Sequence, residues 1–190
     1  MKKLAFLFTA FAALSAFALA GSWKSDKAHS RLGFSVTHLG ISDISGEFRN
    51  FDVTVSSSKA DFSDAKFELT ADVASINTSV DMRDKHLQSP DFFDAAKFPT
   101  LTFKSTALKP AGKNKYKVTG NLTLHGVTRP VTMDLVYRGT ISNPMSKAPT
   151  AGFQVTGTIK RSEFGIGAGF PAPMLSDDVR IKADGEFGKQ

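Results

Sequence analysis

The sequence predicts an all-β domain, an eight-stranded antiparallel up-and-down barrel with a short helical insert between strands 3 and 4. Three observations predict it. Apolar and polar residues alternate with a period of two over eight separate runs, the mark of strands with one buried face. Short connections rich in Gly, Asn, Asp and Pro join the runs, which suits strands paired in sequence order. One stretch, Ser75 to Lys104, interrupts the alternation with a helical, aromatic-rich segment. The same periodicity fits a sandwich of two sheets, but the scarcity of long crossover connections favours the closed sheet.

The first strand is read at Leu32, Phe34, Val36 and His38, which alternate with Arg31, Ser35 and Thr37. The second is GEFRNFDVTV, Gly46 to Val55, whose phase slips between Phe48 and Phe51; the two share a face if Arg49-Asn50 forms a bulge. Lys66 to Val73 is the third, with Phe67, Leu69, Ala71 and Val73 on one face. In the insert, Asp81 to Gln88 holds no β-branched residue, Gly or Pro and predicts about two turns of helix. Ser89, Pro90 and Asp91 predict the start of a second short helix that carries Phe92 and Phe93, reaches Lys97 and stops before Pro99. The fourth strand is Leu101 to Leu108, followed by a turn over Pro110 to Asn114. Tyr116 to Leu124 and Val131 to Tyr137 form the fifth and sixth, joined through a His125-Gly126 hairpin tip. Asn143 to Pro149 is the longest polar loop, Phe153 to Ile159 the seventh strand, and Val179 to Ala183, continuing towards Phe187, the eighth.

A chain of 190 residues suits a single core. Lys2 and Lys3, the apolar run Leu4 to Ala16 and the small residues of Ala18-Leu19-Ala20 read as a signal peptide over residues 1–20, cleaved before Gly21. The apolar run is shorter than the ~20 residues of a spanning helix. This reading makes 21–190 one exported, periplasmic domain. With no cysteine there is neither a disulfide framework nor a lipidated N-terminal Cys, so stability has to come from the core. Without Lys2 and Lys3 the formal charge of +6 falls to +4, dispersed, with no basic cluster beside stacked aromatics. That excludes nucleic acid as the indicated partner and leaves at most a transient attraction to an anionic membrane surface.

Aromatic composition decides which way the apolar face points. Outer-membrane barrels carry Trp and Tyr girdles at both interfaces, whereas this chain has one Trp and two Tyr against 17 Phe. Phe has no polar handle to satisfy and suits a dry interior. The candidate lumen positions are Leu32, Phe34, Val36, Phe48, Phe67, Leu69, Phe92, Phe103, Leu122, Met133, Phe153 and Val155. A barrel of this size is either packed with its own side chains or holds one small ligand; Gly33, Gly120 and Gly157 within strands leave room for the second.

Evidence for chemistry is thin. The four histidines show no metal-ligand spacing and no GxSxG elbow is present, so neither a metal nor a catalytic residue is assigned, and no cofactor is expected. Candidates for a ligand's head group or a polar rim are His38, Arg83, Asp84, His86 and Arg161, Arg83 for its bidentate fork. The competing reading is structural: flap anchors for Arg83, Asp84 and His86, and a salt-bridged turn for Arg161.

The order of motifs resembles the YceI-like family of bacterial periplasmic lipocalin-like proteins. They are DKAHSRLGFSVTHLG, RDKHLQSPDFFD followed by FPTLTF, GNLTLHGVTRPV, RSEFG and LSDDV, which span nearly all of residues 21–190. The resemblance implies a lipocalin-like barrel that binds a polyisoprenoid or another long-chain amphiphile without turnover, as a homodimer in the periplasm. The flap from Asp81 to Lys97 would then be a mobile lid. The alternatives are a lipid-modifying enzyme using His38 or His86 as a base, and a structural or stress-related protein with a filled core.

Overall fold

Eight antiparallel staves close on one another, and the first three are each broken. Stave one consists of β1 (Gly21–Ser25) and β2 (Arg31–His38), stave two of β3 (Ser42–Phe48) and β4 (Phe51–Ser57), and stave three of β5 (Lys66–Asp72) and the two-residue β6 (Ile76–Asn77). Then come β7 (Thr100–Gly112), β8 (Lys115–Leu124), β9 (Val127–Ser142), β10 (Pro149–Lys160) and β11 (Leu175–Lys189), each paired with its sequence neighbour. Both pieces of stave one pair with β11, Trp23 opposite Lys189 and Phe34 opposite Ile181, which closes the sheet into a barrel. The computed structural model describes residues 20–190. The signal-peptide reading thus falls, but for Ala20, outside the described residues.

The alternation behaves as expected: along β8, Tyr116, Val118, Leu122 and Leu124 are buried. Outward residues pair across strands, Thr119 with Thr132 and Thr123 with Thr128 at 2.8 Å, and Lys117 with Asp134 at 2.7 Å. The apolar face is the lumen and the polar face is outside. His125 and Gly126 both take positive φ, 51° and 73°, which is the hairpin turn their sequence calls for.

Three expectations require correction. Residues 21–25 form a strand, although GSWKS shows only one large apolar residue. The phase slip at Arg49-Asn50 is a break between two strands and not a bulge; Arg49 N–H donates to Ser75 O and Asn50 N–H to Ser75 Oγ, tying the breaks of staves two and three together. In the insert, α1 (Asp81–Leu87) forms with Asp81 and Asp84 in its first turn and Lys85 and His86 in its last, matching the helix dipole. The expected second helix does not form. Residues 89–97 are successive turns, in which Phe92 N–H and Asp94 N–H both donate to Ser89 O and Asp94 has a φ of 46°.

One end of the barrel is closed by a loop residue. Between β4 and β5, Phe62 turns inward with a φ of 57° and only 2% exposure. Its ring centroid lies 5.2 Å from Trp23 and 5.0 Å from both Tyr137 and Phe153. Tyr116 Oη donates to Asp61 O at 2.8 Å, fixing the loop from below. Truncating Phe62 to alanine removes the centre of this aromatic plug and is expected to cost about 3–5 kcal/mol, read as a lowered midpoint of denaturant unfolding.

The same loop holds an acid-sensitive clasp. Burial raises the pKa of Asp64, but hydrogen bonds from the Ser57 and Ser58 hydroxyls and the Ser58 and Lys59 amides outweigh it and hold the carboxyl well below the ordinary range. A carboxylate with a lowered folded pKa contributes fully above its unfolded value of 3.8, and the contribution fades as pH falls through the folded value. Melting curves taken from about pH 5 to pH 2 should therefore show Asp64→Asn less stable than wild type at the upper end and the difference shrinking towards the lower.

Candidate ligand cavity

Above the aromatic plug the barrel is hollow. The cavity measures about 220 Å³, more than ten times the roughly 10–15 Å³ that one water requires by the same measure. All twelve apolar positions picked from the alternation and the flap line it. Sequence reasoning missed the contribution of the last strand, where Leu175, Val179, Ile181, Ala183 and Phe187 also face the cavity; the period-two run from Val179 was the signal. It also missed Phe51, which faces inward with Phe48 because the strand breaks between them.

The strand glycines make room for neighbours within the wall. A Cβ on Gly120 would lie 2.4 Å from Phe103 Cζ, and one on Gly157 would lie 2.8 Å from Met133 Cγ. Gly33 faces the Lys182 carbonyl, which its Cβ would approach to 3.1 Å. The space beside Gly120 and Gly157 is thus taken by neighbouring side chains, and of the three only Gly33 lines the hollow.

The far end is capped by the insert. Phe93 meets Phe48 edge to face at 5.8 Å, while Phe92 stacks on Phe170 at 4.8 Å. Leu87, Ile166 and Leu175 complete the cap. Adjacent phenylalanines are thus drawn to different partners, which is why the local helix signal loses to tertiary packing.

Arg161 reaches the cavity but is committed to its wall. It is 7% exposed, in the 3-10 turn that follows β10. Nε donates to Ser176 O at 3.0 Å, Nη1 to Ile166 O at 2.9 Å and Gly167 O at 2.6 Å, and Nη2 to Leu175 O at 3.1 Å and to Phe170 O. Five donors meet five carbonyls, so none is left for a ligand. The expected salt bridge is absent from this cradle. Asp177 instead accepts the Ser162 amide and hydroxyl, both at 2.9 Å, and that amide chiefly holds its pKa below the ordinary value.

The remaining polar candidates lie off the cavity. Asp84 is buried and accepts the Thr78 amide at 2.8 Å, the Thr78 hydroxyl at 2.5 Å and the Asn77 side-chain amide at 3.3 Å. Arg83 closes on the same residue, with Nε on Thr78 Oγ1 and Nη2 on Thr78 O, both at 2.7 Å. The pair clasps the start of the insert to stave three, the anchoring alternative read from the sequence. His86 lies 3.0 Å from Asp91 and meets Phe92 edge to face at 5.0 Å. His38 is exposed at the end of β2.

Polar lining is confined to two places, Arg161 at the capped end and Ser30, Arg31 and Asp184 where stave one is broken. Such an interior offers hydrocarbon a dry surround and little else.

Comparison with known proteins agrees with this geometry. The model of the YceI-like domain matches residues 23–187. A UPF0312 protein of Staphylococcus aureus is 39% identical over 166 residues, covering 85% of this chain and 94% of its own length. The crystal structure of Burkholderia cenocepacia BcnA superposes with a TM-score of 0.77 at 30% identity, covering 85% of this chain and 98% of BcnA. The fold is also that of a polyisoprenoid binding domain from Saccharophagus degradans, with a TM-score of 0.67, 19% identity and coverage of 90% and 99%. Family model, relatives and barrel agree, and the chain belongs to the YceI-like domain family.

Proposed function

We propose that this protein is a periplasmic carrier or sequestering protein that holds a polyisoprenoid or other long-chain amphiphilic lipid in the barrel cavity. The observation that carries the reading is the cavity itself: a hollow of about 220 Å³, lined on every stave by apolar side chains. Burying each methylene contributes about 0.8 kcal/mol, so a long chain binds tightly with no covalent chemistry. At the level of the fold, the Saccharophagus degradans domain supports the choice of ligand class. The reading includes export, cleavage before Gly21 and assembly as a homodimer, and it has the protein bind its lipid without turning it over.

The test is a chain-length series of prenyl alcohols displacing a fluorescent apolar probe from the mature protein. Each added isoprene unit should strengthen binding at least about tenfold until the cavity is full, and the alcohol should be recovered unaltered. Failure of every member to displace the probe would favour a structural role, while recovery of a chemically changed lipid would favour an enzyme.

A further inference from the structure

At the plugged end of the barrel the fold gathers cations that lie dispersed along the sequence. From Ser105 to Ser162 the chain has nine Lys and Arg residues and one acid, Asp134. Lys117 takes that acid at 2.7 Å. Two hairpins from this stretch meet at the plugged end. The first joins β7 to β8 through Gly112 and Asn114, whose positive φ of 135° and 57° tightens the turn and leaves Lys113 at its tip. Tyr137 N–H donates to Asn114 O at 2.9 Å, which brings Arg138 of β9 beside this tip. β9 then runs on to Ser142 and returns as β10 from Pro149, with Lys147 in the loop between them.

These charges are not neutralised within the fold. Lys109, Lys113, Lys115, Arg138 and Lys147 are all exposed, and among the described residues none of the five forms an ion pair. Lys109 stands directly opposite Lys117, whose charge Asp134 already satisfies, and Lys147 Nζ donates to the neutral Pro144 O at 2.8 Å. The loop between β4 and β5 adds Asp61 and Asp64, but also Lys59 and Lys66, and Asp64 accepts from Ser57 and Ser58. Apolar side chains protrude among the cations, Met145 at 92% exposure and Ile141 at 65%. The loop that holds Met145 out is built: Asn143 Oδ1 accepts the Met145 amide at 2.9 Å and the Ser146 amide at 3.0 Å, and Asn143 N–H donates to Ala148 O at 2.9 Å. At the capped end, by contrast, exposed Met82 stands among charges of both signs, Asp81, Asp91 and Glu163 as well as Lys85 and Lys97.

We propose that the plugged end, formed by the β7–β8 and β9–β10 hairpins, docks on the surface of an anionic phospholipid bilayer. The five cations lie over the head groups, and Met145 and Ile141 enter the boundary with the acyl chains. Clustered Lys and Arg are drawn to the negative surface potential of such a bilayer, and apolar side chains that leave water there add to the attraction. A nucleic acid would meet the same charges but gives the two protruding apolar side chains nothing to enter. Docked in this way, the barrel turns its capped end away from the bilayer. The inference stands apart from what the cavity holds.

Vesicle flotation with the protein purified from cells that express the full chain tests it. Binding to an equimolar mixture of phosphatidylcholine and phosphatidylglycerol should exceed binding to phosphatidylcholine alone at least about tenfold at low salt, and should fall steeply as salt is added. Lys113→Gln, Lys115→Gln and Arg138→Gln combined should weaken it about tenfold or more, and Met145→Ser alone about threefold or more. Lys85→Gln, Lys97→Gln and Arg129→Gln combined remove the same charge from the capped end and should leave binding within about twofold of wild type. Thermal melting of each variant separates a lost surface from a lost fold. Equal binding to the two kinds of vesicle overturns the inference, and so does an equal loss in the two triple variants. A protein that ignores the anionic vesicles and binds duplex DNA overturns it as well. None of these outcomes touches the lipid-binding reading of the cavity.

Discussion

Replacing Arg161 with methionine is expected to lower the stability of the barrel by about 3 kcal/mol or more, since hydrogen bonds from a charged donor contribute about 1.5–3 kcal/mol each. The five carbonyls of Ile166, Gly167, Phe170, Leu175 and Ser176 lose their donors together. A buried carbonyl left unsatisfied costs about 1–3 kcal/mol, so the segment opens to water before it carries that sum. The loop between β10 and β11 should then become a protease site, with cleavage confined to residues 162–174. Arg161→Lys is expected to recover part of the loss only, since an ammonium has three donors and no planar fork. Urea unfolding and limited proteolysis check both variants, and a methionine variant as stable as wild type would contradict the assignment of Arg161 to the wall.

Filling the hollow from the wall should abolish binding. Val155 sits on β10 between Leu135 and Ala183, half-buried, with its side chain at the cavity. Val155→Trp places an indole where hydrocarbon would lie. If it displaces the equivalent of four methylenes at about 0.8 kcal/mol each, the loss of about 3 kcal/mol lowers affinity at least about 100-fold. Because the ring enters existing space, the stability cost should stay within the roughly 1–3 kcal/mol of an overpacked core. Ile141→Trp, on the exposed outer face, is the control and should bind normally; Ile141 is 65% exposed. Affinity is measured by probe displacement and stability by thermal melting, so a lost site is separated from a lost fold.

Much of this architecture was legible because period-two alternation is imposed by the pleat. Leu32, Phe34 and Val36 had to share a face, and that face had to be the lumen once Phe outnumbered Trp and Tyr. What the pattern could not show was where a stave breaks. Phe48 and Phe51 both face inward because the chain turns at Arg49-Asn50 and hands its hydrogen bonds to Ser75, a partner 26 residues away from Arg49. Phe62 was opaque for a related reason. It stands alone in SSSKADFSDAK, and its burial depends on Asp64 and Tyr116 holding the loop in place. The SPDFFDAAK segment carried a sound helix signal, but no helix lets Phe93 reach Phe48 while Phe92 lies on Phe170. Arg161 was visible as a rim residue, yet only the folded loop shows that carbonyls from 15 residues of following chain converge on it. The break in stave one was hidden too, since DKAHS reads as an ordinary loop between runs.

The central claim is that the barrel holds a long-chain lipid in its cavity. Native mass spectrometry of the protein purified from cells that express the full chain, followed by organic extraction, tests it most directly. Wild type should carry a stoichiometric lipid of defined mass that is recovered intact, and the Val155→Trp variant prepared alongside should be empty. A wild-type protein that is empty and takes up no long-chain isoprenoid when offered one would contradict the account.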